Sequence, residues 1–178
     1  KILQPQDIYK NIAKIEKTFS KFINIKDKAK LINNYDWLSN INYINFLRDI
    51  GTKITINKML TFESVKNRLD REQPLTFLEF NYMLLQAYDY CHLNKEYDCE
   101  LQLGGSDQWG NILSGIDLIR RLNNKKTFAI TSPLITNNDG SKMGKTVDGA
   151  IWLDEDKLTN YDFYQFWRNV DDSDVSKF

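Results

Sequence analysis

The apolar run Leu101-Gln102-Leu103 stops at Gly104-Gly105 and passes through Ser106-Asp107-Gln108 into Trp109-Gly110-Asn111, where a helical pattern begins. Few segments leave a chain so little freedom. Two adjacent glycines at a strand end let backbone approach a neighbour or ligand where a Cβ would clash. Asp107, Gln108 and Asn111 then offer donors and acceptors at the mouth of the next helix, a favoured place for polar ligands in α/β folds. A tight strand-to-helix turn capped by Ser106 or Asp107 meets the same pattern. Either way, a strand must hand over to a helix here.

The rest of the chain alternates in the same sense. Ile8, Ile12, Ile15, Phe19 and Phe22 recur at helical spacing and predict an amphipathic helix over about 7–23. Residues 29–32 read as a short strand, and 41–50 as a helix closed by Gly51 at its C′ position. Residues 58–69 read as one helix. Thr76-Phe77-Leu78-Glu79 is a capping box, which opens a long helix reaching to about Leu93. A strand over 100–103 and a helix over 108–122 follow. Residues 128–131 and 134–136 are strand-like on either side of Pro133. Residues 137–149 form a loop rich in Asn, Asp, Gly and Lys, and 160–170 a last helix carrying many aromatics. Strands alternating with helices predict an α/β fold with a parallel sheet.

Composition narrows the function classes. The chain's 178 residues make one ordinary domain, and 42% hydrophobic content fits a globular core. A formal net charge of +0 excludes nucleic-acid binding by bulk electrostatics, so any RNA contact must use local patches. Cys91 and Cys99 lack C-x-x-C spacing, so neither a protein-bound metal nor a disulfide framework is expected, and a reducing compartment fits. No apolar run approaches membrane-spanning length, and no membrane partner is expected. The chain opens on Lys1 rather than Met, so it reads as a piece of a longer protein.

Tyr82, Gln86 and Asp89 are spaced i, i+4, i+7 and share one stripe of the helix opened by Thr76. The neighbours Phe80, Met83, Leu84, Leu85 and Ala87 make that helix apolar nearly all round, and buried polar groups there need partners. A solvent-facing polar stripe fits the same spacing. Lys142 and Lys145, three apart with Thr146 in a flexible loop, suit a pyrophosphate, although a solvated basic loop has the same look. His92, the single histidine, reads as a surface or capping group, Arg120 and Arg121 as solvated, and Trp109 and the cysteines as packing.

The 101–111 stretch resembles the Gly-Gly-Ser-Asp-Gln-Trp-Gly-Asn signature of bacterial-type tyrosyl-tRNA synthetases, a class I aminoacyl-tRNA synthetase family. Tyr35-Asp36-Trp37-Leu38, Phe46-Leu47-Arg48-Asp49-Ile50-Gly51, Leu84-Leu85-Gln86-Ala87-Tyr88-Asp89 and Tyr164-Gln165-Phe166-Trp167 resemble further family segments, in the family's order. Lys142-Met143-Gly144-Lys145-Thr146 resembles the second class I signature, Lys-Met-Ser-Lys-Ser. The first thirty or so residues match only as a helical lead-in.

The resemblance implies the second half of a Rossmann-type catalytic domain, with a helical insertion at about 36–75. The His-Ile-Gly-His segment and the anticodon-binding domains are expected to lie outside it. It implies a tyrosine–tRNA ligase that activates L-tyrosine with ATP and Mg²⁺ and charges tRNA(Tyr). The isolated piece is expected to be inactive. Tyr82 and Gln86 would hold the substrate ammonium, Asp89 the phenolic O–H, and Gln102 would be a pocket amide. Gly105 and Asp107 would take the adenylate ribose, Gln108 would lie near the reacting carboxylate, and Lys142, Lys145 and Thr146 would meet the ATP phosphates. A homodimer is implied, with Phe77 and its neighbours at the contact; Leu78 departs from the family's usual Thr. Cytoplasmic residence is expected, with a bacterially descended organelle as the alternative. Tryptophanyl-tRNA synthetase and a synthetase-derived, non-catalytic RNA-binding protein are the other readings.

Overall fold

The computed structural model describes residues 4–25, 27–136 and 151–176, leaving aside the side chains of residues 63 and 64. The first elements are α1 (Pro5–Phe19), α2 (Tyr35–Leu38), α3 (Tyr43–Asp49), a 3-10 turn (Gly51–Lys53), α4 (Ile56–Leu60) and α5 (Glu63–Asp70). Then come α6 (Phe77–Tyr97), β1 (Leu101–Gly105), a 3-10 turn (Ser106–Gln108), α7 (Trp109–Asn123) and β2 (Phe128–Ser132). The last two are α8 (Asn160–Arg168) and α9 (Asp172–Val175). The chain divides into two compact units, Asn34–Leu134 and the pair Lys1–Asn33 with Ile135–Phe178.

The unit Asn34–Leu134 is built on α6. Its start is the predicted capping box: Glu79 N–H donates to Thr76 Oγ1 at 3.2 Å, and Thr76 N–H donates to Glu79 Oε2 at 3.0 Å. The helix outruns the expected end at Leu93 and stops at Tyr97, where Asp98 turns left-handed with φ 51. The core joins Leu84, Ala87, Tyr90 and Cys91 of α6 to Ile112, Leu118 and Ile119 of α7 and to Phe46 and Ile50. Gly115 lets the two long helices close up, since a Cβ there would lie 2.8 Å from Tyr90 Cδ1.

β1 and β2 pair in parallel, Leu101 opposite Phe128 and Gly105 opposite Ser132, with α7 as the crossover that parallel pairing requires. The Tyr90 hydroxyl donates to the carbonyl oxygens of Glu100 (2.9 Å) and Phe128 (2.8 Å), tying α6 to the start of both strands. Leu101, Leu103, Phe128 and Ile130 stand exposed on the sheet.

Several expectations are corrected here. Residues 29–32 are not a strand; among the described residues the sheet consists of β1 and β2. Residues 134–136 hold only an isolated bridge at Thr136, because Pro133 has no N–H with which to extend the ladder beyond β2. Gly51 is not a left-handed C′ residue; the chain tightens instead into a 3-10 turn, with Lys53 N–H donating to Ile50 O at 2.9 Å. The predicted helix over 58–69 is two helices, broken where Phe62 turns extended. The Phe62 ring lies against Gly110 of α7, 3.2 Å from where a Cβ would stand. That long-range contact outweighs local helix propensity.

In the other unit, α1 starts at Pro5 behind a Gln4–Asp7 capping box. It ends at Phe19, short of 23, where Thr18 Oγ1 and Ser20 Oγ donate to the carbonyls of Lys14 and Glu16 in the last turn. Lys21 pairs with Glu155 at 3.1 Å, and Ile15, Phe19, Ile151, Trp152 and Leu153 line a groove of about 510 Å³. α8 begins at Asn160 as predicted and stops at Arg168, where Asn169 Nδ2 donates to Gln165 O at 2.7 Å. The loop expected over 137–149 lies outside the described residues. Among the described residues, no helix is long and apolar enough to cross a membrane.

Candidate active site

Of the predicted stripe on α6, Gln86 and Asp89 are half-buried, and Tyr82 is 62% exposed. The apolar neighbours take the buried faces, so the polar stripe lies along the margin of the core. Asp89 has two partners there. Asn34 Nδ2 donates to its Oδ2 at 2.9 Å, and Trp37 Nε1 donates to its Oδ1 at 2.7 Å. Both donors are neutral. Burial pushes the Asp89 carboxyl above its ordinary value, against the opposing pull of Asn34, Trp37 and the nearby His92. Each carboxylate oxygen has two lone pairs, so each keeps acceptor capacity after these bonds. His92 is neither a capping nor a bare surface group. Its ring stacks on Trp37, with centroids 4.3 Å apart and planes at 17°.

One turn back, α6 meets the glycine turn through Gln86. Its Nε2 donates to Gln108 Oε1 at 3.3 Å, and Asn111 Nδ2 donates to the same oxygen at 3.3 Å. The predicted amides of two separate segments are thus one network. Gly105 earns its place by internal sterics, for a Cβ there would fall 2.8 Å from Asp107 Oδ1 and 2.9 Å from Leu134 Cδ2. The carboxylate of Asp107 therefore folds back over the glycine. Neither Ser106 nor Asp107 caps α7; Gln108 is the N-cap residue and makes no side-chain cap bond. Gln102 projects from β1 with Oε1 buried and accepting no hydrogen bond among the described residues. Such an orphaned oxygen costs free energy until a donor reaches it. Trp109, expected to pack, is 47% exposed. Arg120 and Arg121 are exposed, as expected, and also pair with Asp117. Lys142, Lys145 and Thr146 lie outside the described residues.

The family of class I tRNA synthetases (W and Y) matches residues 1–178. The chain belongs to the class I tRNA synthetases. Among curated relatives, the tyrosine–tRNA ligase of Pelagibacter ubique (strain HTCC1062) is 58% identical over 180 residues, 99% of this chain and 44% of that protein. The tyrosine–tRNA ligase of Orientia tsutsugamushi (strain Ikeda) is 55% identical over 181 residues, 100% of this chain and 44% of that protein. A C-terminally truncated mitochondrial tyrosyl-tRNA synthetase of Coccidioides posadasii has a similar structure, with a TM-score of 0.72 and 30% identity over 95% of this chain and 50% of that one. This synthetase chain therefore spans about half the length, or less, of the proteins it matches, and its α/β fold is the class I one.

Asn34 escaped the sequence reading of this synthetase chain, His92 was read there only as a surface or capping group, and Trp37 was placed in a family segment without a role. Their bonds to Asp89 cross 55 and 52 residues of sequence for Asn34 and Trp37, beyond any helical or strand period. The available signal was chemical: a half-buried acid needs donors, and an Asn and a Trp close together supply them without a charge.

Proposed function

We propose that this chain supplies the amino-acid pocket and part of the adenylate site of a tyrosine–tRNA ligase. The tyrosine carboxylate attacks the α-phosphate of ATP, pyrophosphate leaves, and the tyrosyl group passes from the adenylate to the 3′ end of tRNA(Tyr). Asp89 accepts the phenolic O–H. Tyr82 and Gln86 receive the ammonium, with Gln102 beside them, and Gln108 faces the carboxylate. Gly105 and Asp107 meet the ribose. Lys142, Lys145 and Thr146 meet the phosphates, and Mg²⁺ arrives with ATP. Little covalent help is needed from protein; positioning and charge stabilisation lower the barrier.

The observation that carries this reading is the environment of Asp89. A half-buried carboxylate held by two neutral donors has no cation bonded to it and has lone pairs left for a further O–H. Phenylalanine would bring no donor and leave that acid underserved. Tyrosyl-tRNA synthetase is itself the standard example of such rejection, at about 10⁵ against phenylalanine. The test is exchange of pyrophosphate into ATP by the full-length protein, with tyrosine, tryptophan and phenylalanine supplied separately. Exchange dependent on tyrosine alone is expected, and exchange driven by tryptophan would overturn the assignment.

Two further parts belong to the same proposal. The protein acts as a homodimer, supported by Phe77 and Leu78, 69% and 67% exposed at the start of α6. It resides in the cytoplasm, supported by the free thiols Cys91 and Cys99. Sedimentation of the full-length protein and fractionation of its source cell test these parts.

A further inference from the structure

The oxygen of the Gln108 carboxamide accepts from two –NH₂ groups, Gln86 Nε2 and Asn111 Nδ2, each at 3.3 Å. An amide side chain presents a donor end and an acceptor end that are nearly equal in shape. Here the acceptor end is occupied twice, so the end turned elsewhere is the –NH₂. Rotating Gln108 by half a turn would set its –NH₂ against two other –NH₂ groups and break both bonds. Gln86, because it donates with its nitrogen, is left with its carbonyl oxygen. In this arrangement the network has a polarity, an acceptor on Gln86 and a donor on Gln108, and a zwitterion calls for that pair: oxygen towards its ammonium, N–H towards its carboxylate. Gln86 shares this duty with ligand binding. Asn111, one helical turn beyond Gln108 and half-buried at the start of α7, does not.

We infer that Asn111 is a positioning residue, holding the Gln108 carboxamide with its –NH₂ towards the amino-acid carboxylate. This rests on the ligase reading. Removing the Asn111 donor leaves one bond in place of two and lets Gln108 spend part of its time with oxygen facing the carboxylate, where the two repel. Because the carboxylate oxygen must be held in line with the α-phosphate to attack it, misorientation slows adenylate formation.

The test is a double-mutant cycle in the full-length protein with Asn111→Leu, Gln108→Met and the two combined. The readouts are single-turnover adenylate formation and the affinity for tyrosinol, which lacks the carboxylate. Asn111→Leu is expected to slow adenylate formation about tenfold, the loss of one neutral hydrogen bond. In the Gln108→Met background the same change should cost less than about twofold, because nothing is left to orient. Tyrosinol affinity should match wild type in Asn111→Leu, and Asn111→His, which restores an N–H at similar reach, should recover the rate. Multiplicative losses in the cycle, or an equal loss of tyrosinol affinity, would overturn the role of Asn111 while leaving the ligase reading intact. If Asn111→Leu does not fold, a slow Asn111→His would overturn it in the same way. A wild-type protein that forms no tyrosyl-adenylate would refute both.

Discussion

Asp89 on α6 and Asp117 on α7 are both half-buried acids, yet their surroundings are opposites. Asp89 is met by the neutral donors Asn34 and Trp37, and burial leaves its carboxyl above the ordinary value. Asp117 is met by cations. Lys58 Nζ (2.8 Å) and Arg121 Nε (3.0 Å) donate to its Oδ2, and Arg120 donates to its Oδ1 at 2.5 Å. Burial pushes Asp117 up too, but the cations led by Lys58 outweigh it, and the carboxyl ends below its ordinary value. An acid satisfied by cations is a staple: it ties α4 to α7 and asks for nothing more. An acid satisfied by dipoles has no bonded cation and keeps acceptor capacity for a ligand. The difference lies in the partners, not in the residue.

The largest effect should come from breaking the Asp89 side. Asp89→Ala in the full-length protein is expected to cut tyrosine-over-phenylalanine discrimination by about a thousandfold or more, because the penalty for an unserved buried acid disappears. Asp117→Ala should leave that ratio unchanged. Equal losses for both amino acids in Asp89→Ala would make Asp89 a second staple. Next, Lys142→Ala or Lys145→Ala should slow adenylate formation about a hundredfold with tyrosine affinity preserved, since contacts to a leaving group strengthen in the transition state. Rate and affinity falling together would show a ground-state role.

Stability sharpens the comparison further. Gly105→Ala should lower stability by ~1 kcal/mol, seen as a small drop in Tm, because the Cβ meets only the side-chain ends of Asp107 and Leu134, which can move aside. Asp117→Ala should cost about 1 kcal/mol or less, because its three cations are 40% exposed or more and can return to water. The smallest effect is in pH dependence, and its sign differs between the two acids. A raised carboxyl such as Asp89 weighs against folding once it ionises, so its burden is absent below its ordinary value of 3.8 and grows as pH climbs through the folded value. A depressed carboxyl such as Asp117 stabilises above 3.8 and loses that contribution as pH falls towards the folded value. Between about pH 3 and 6, Asp89→Asn should therefore become less costly as pH rises and Asp117→Asn more costly. Thermal melts across that range check it, and parallel trends would erase the distinction.

How much of this was written plainly in the chain depends on the range of each interaction. The capping box of Thr76 and Glu79, the stripe of Gln86 and Asp89, and the strand ending at Gly105 all follow from neighbours within a turn or two. They appear close to where the sequence puts them, although the strand runs Leu101–Gly105 rather than 100–103. The break at Phe62 does not, because it answers to Gly110 on another helix. Residues 29–32 have strand composition, but a strand exists only by pairing, and pairing is not a local property. The site divides in the same way. Its acid and amides announce themselves, whereas Asn34 and Trp37 reach Asp89 only through the folded chain.

The hydroxyl of Tyr90, shared between Glu100 and Phe128, also bears on how this region assembles. Every element it joins lies between Phe77 and Ser132, an unbroken run of chain in which each piece packs on its sequence neighbours. Loops closed so early in the contour cost little entropy, and regions rich in such contacts fold fast. On a ribosome this run would be able to lock as soon as Phe128 clears the exit tunnel, with the phenol acting as the latch. Tyr90→Phe keeps the ring in the core but removes the latch, so it is a probe of the order of folding as much as of the folded state.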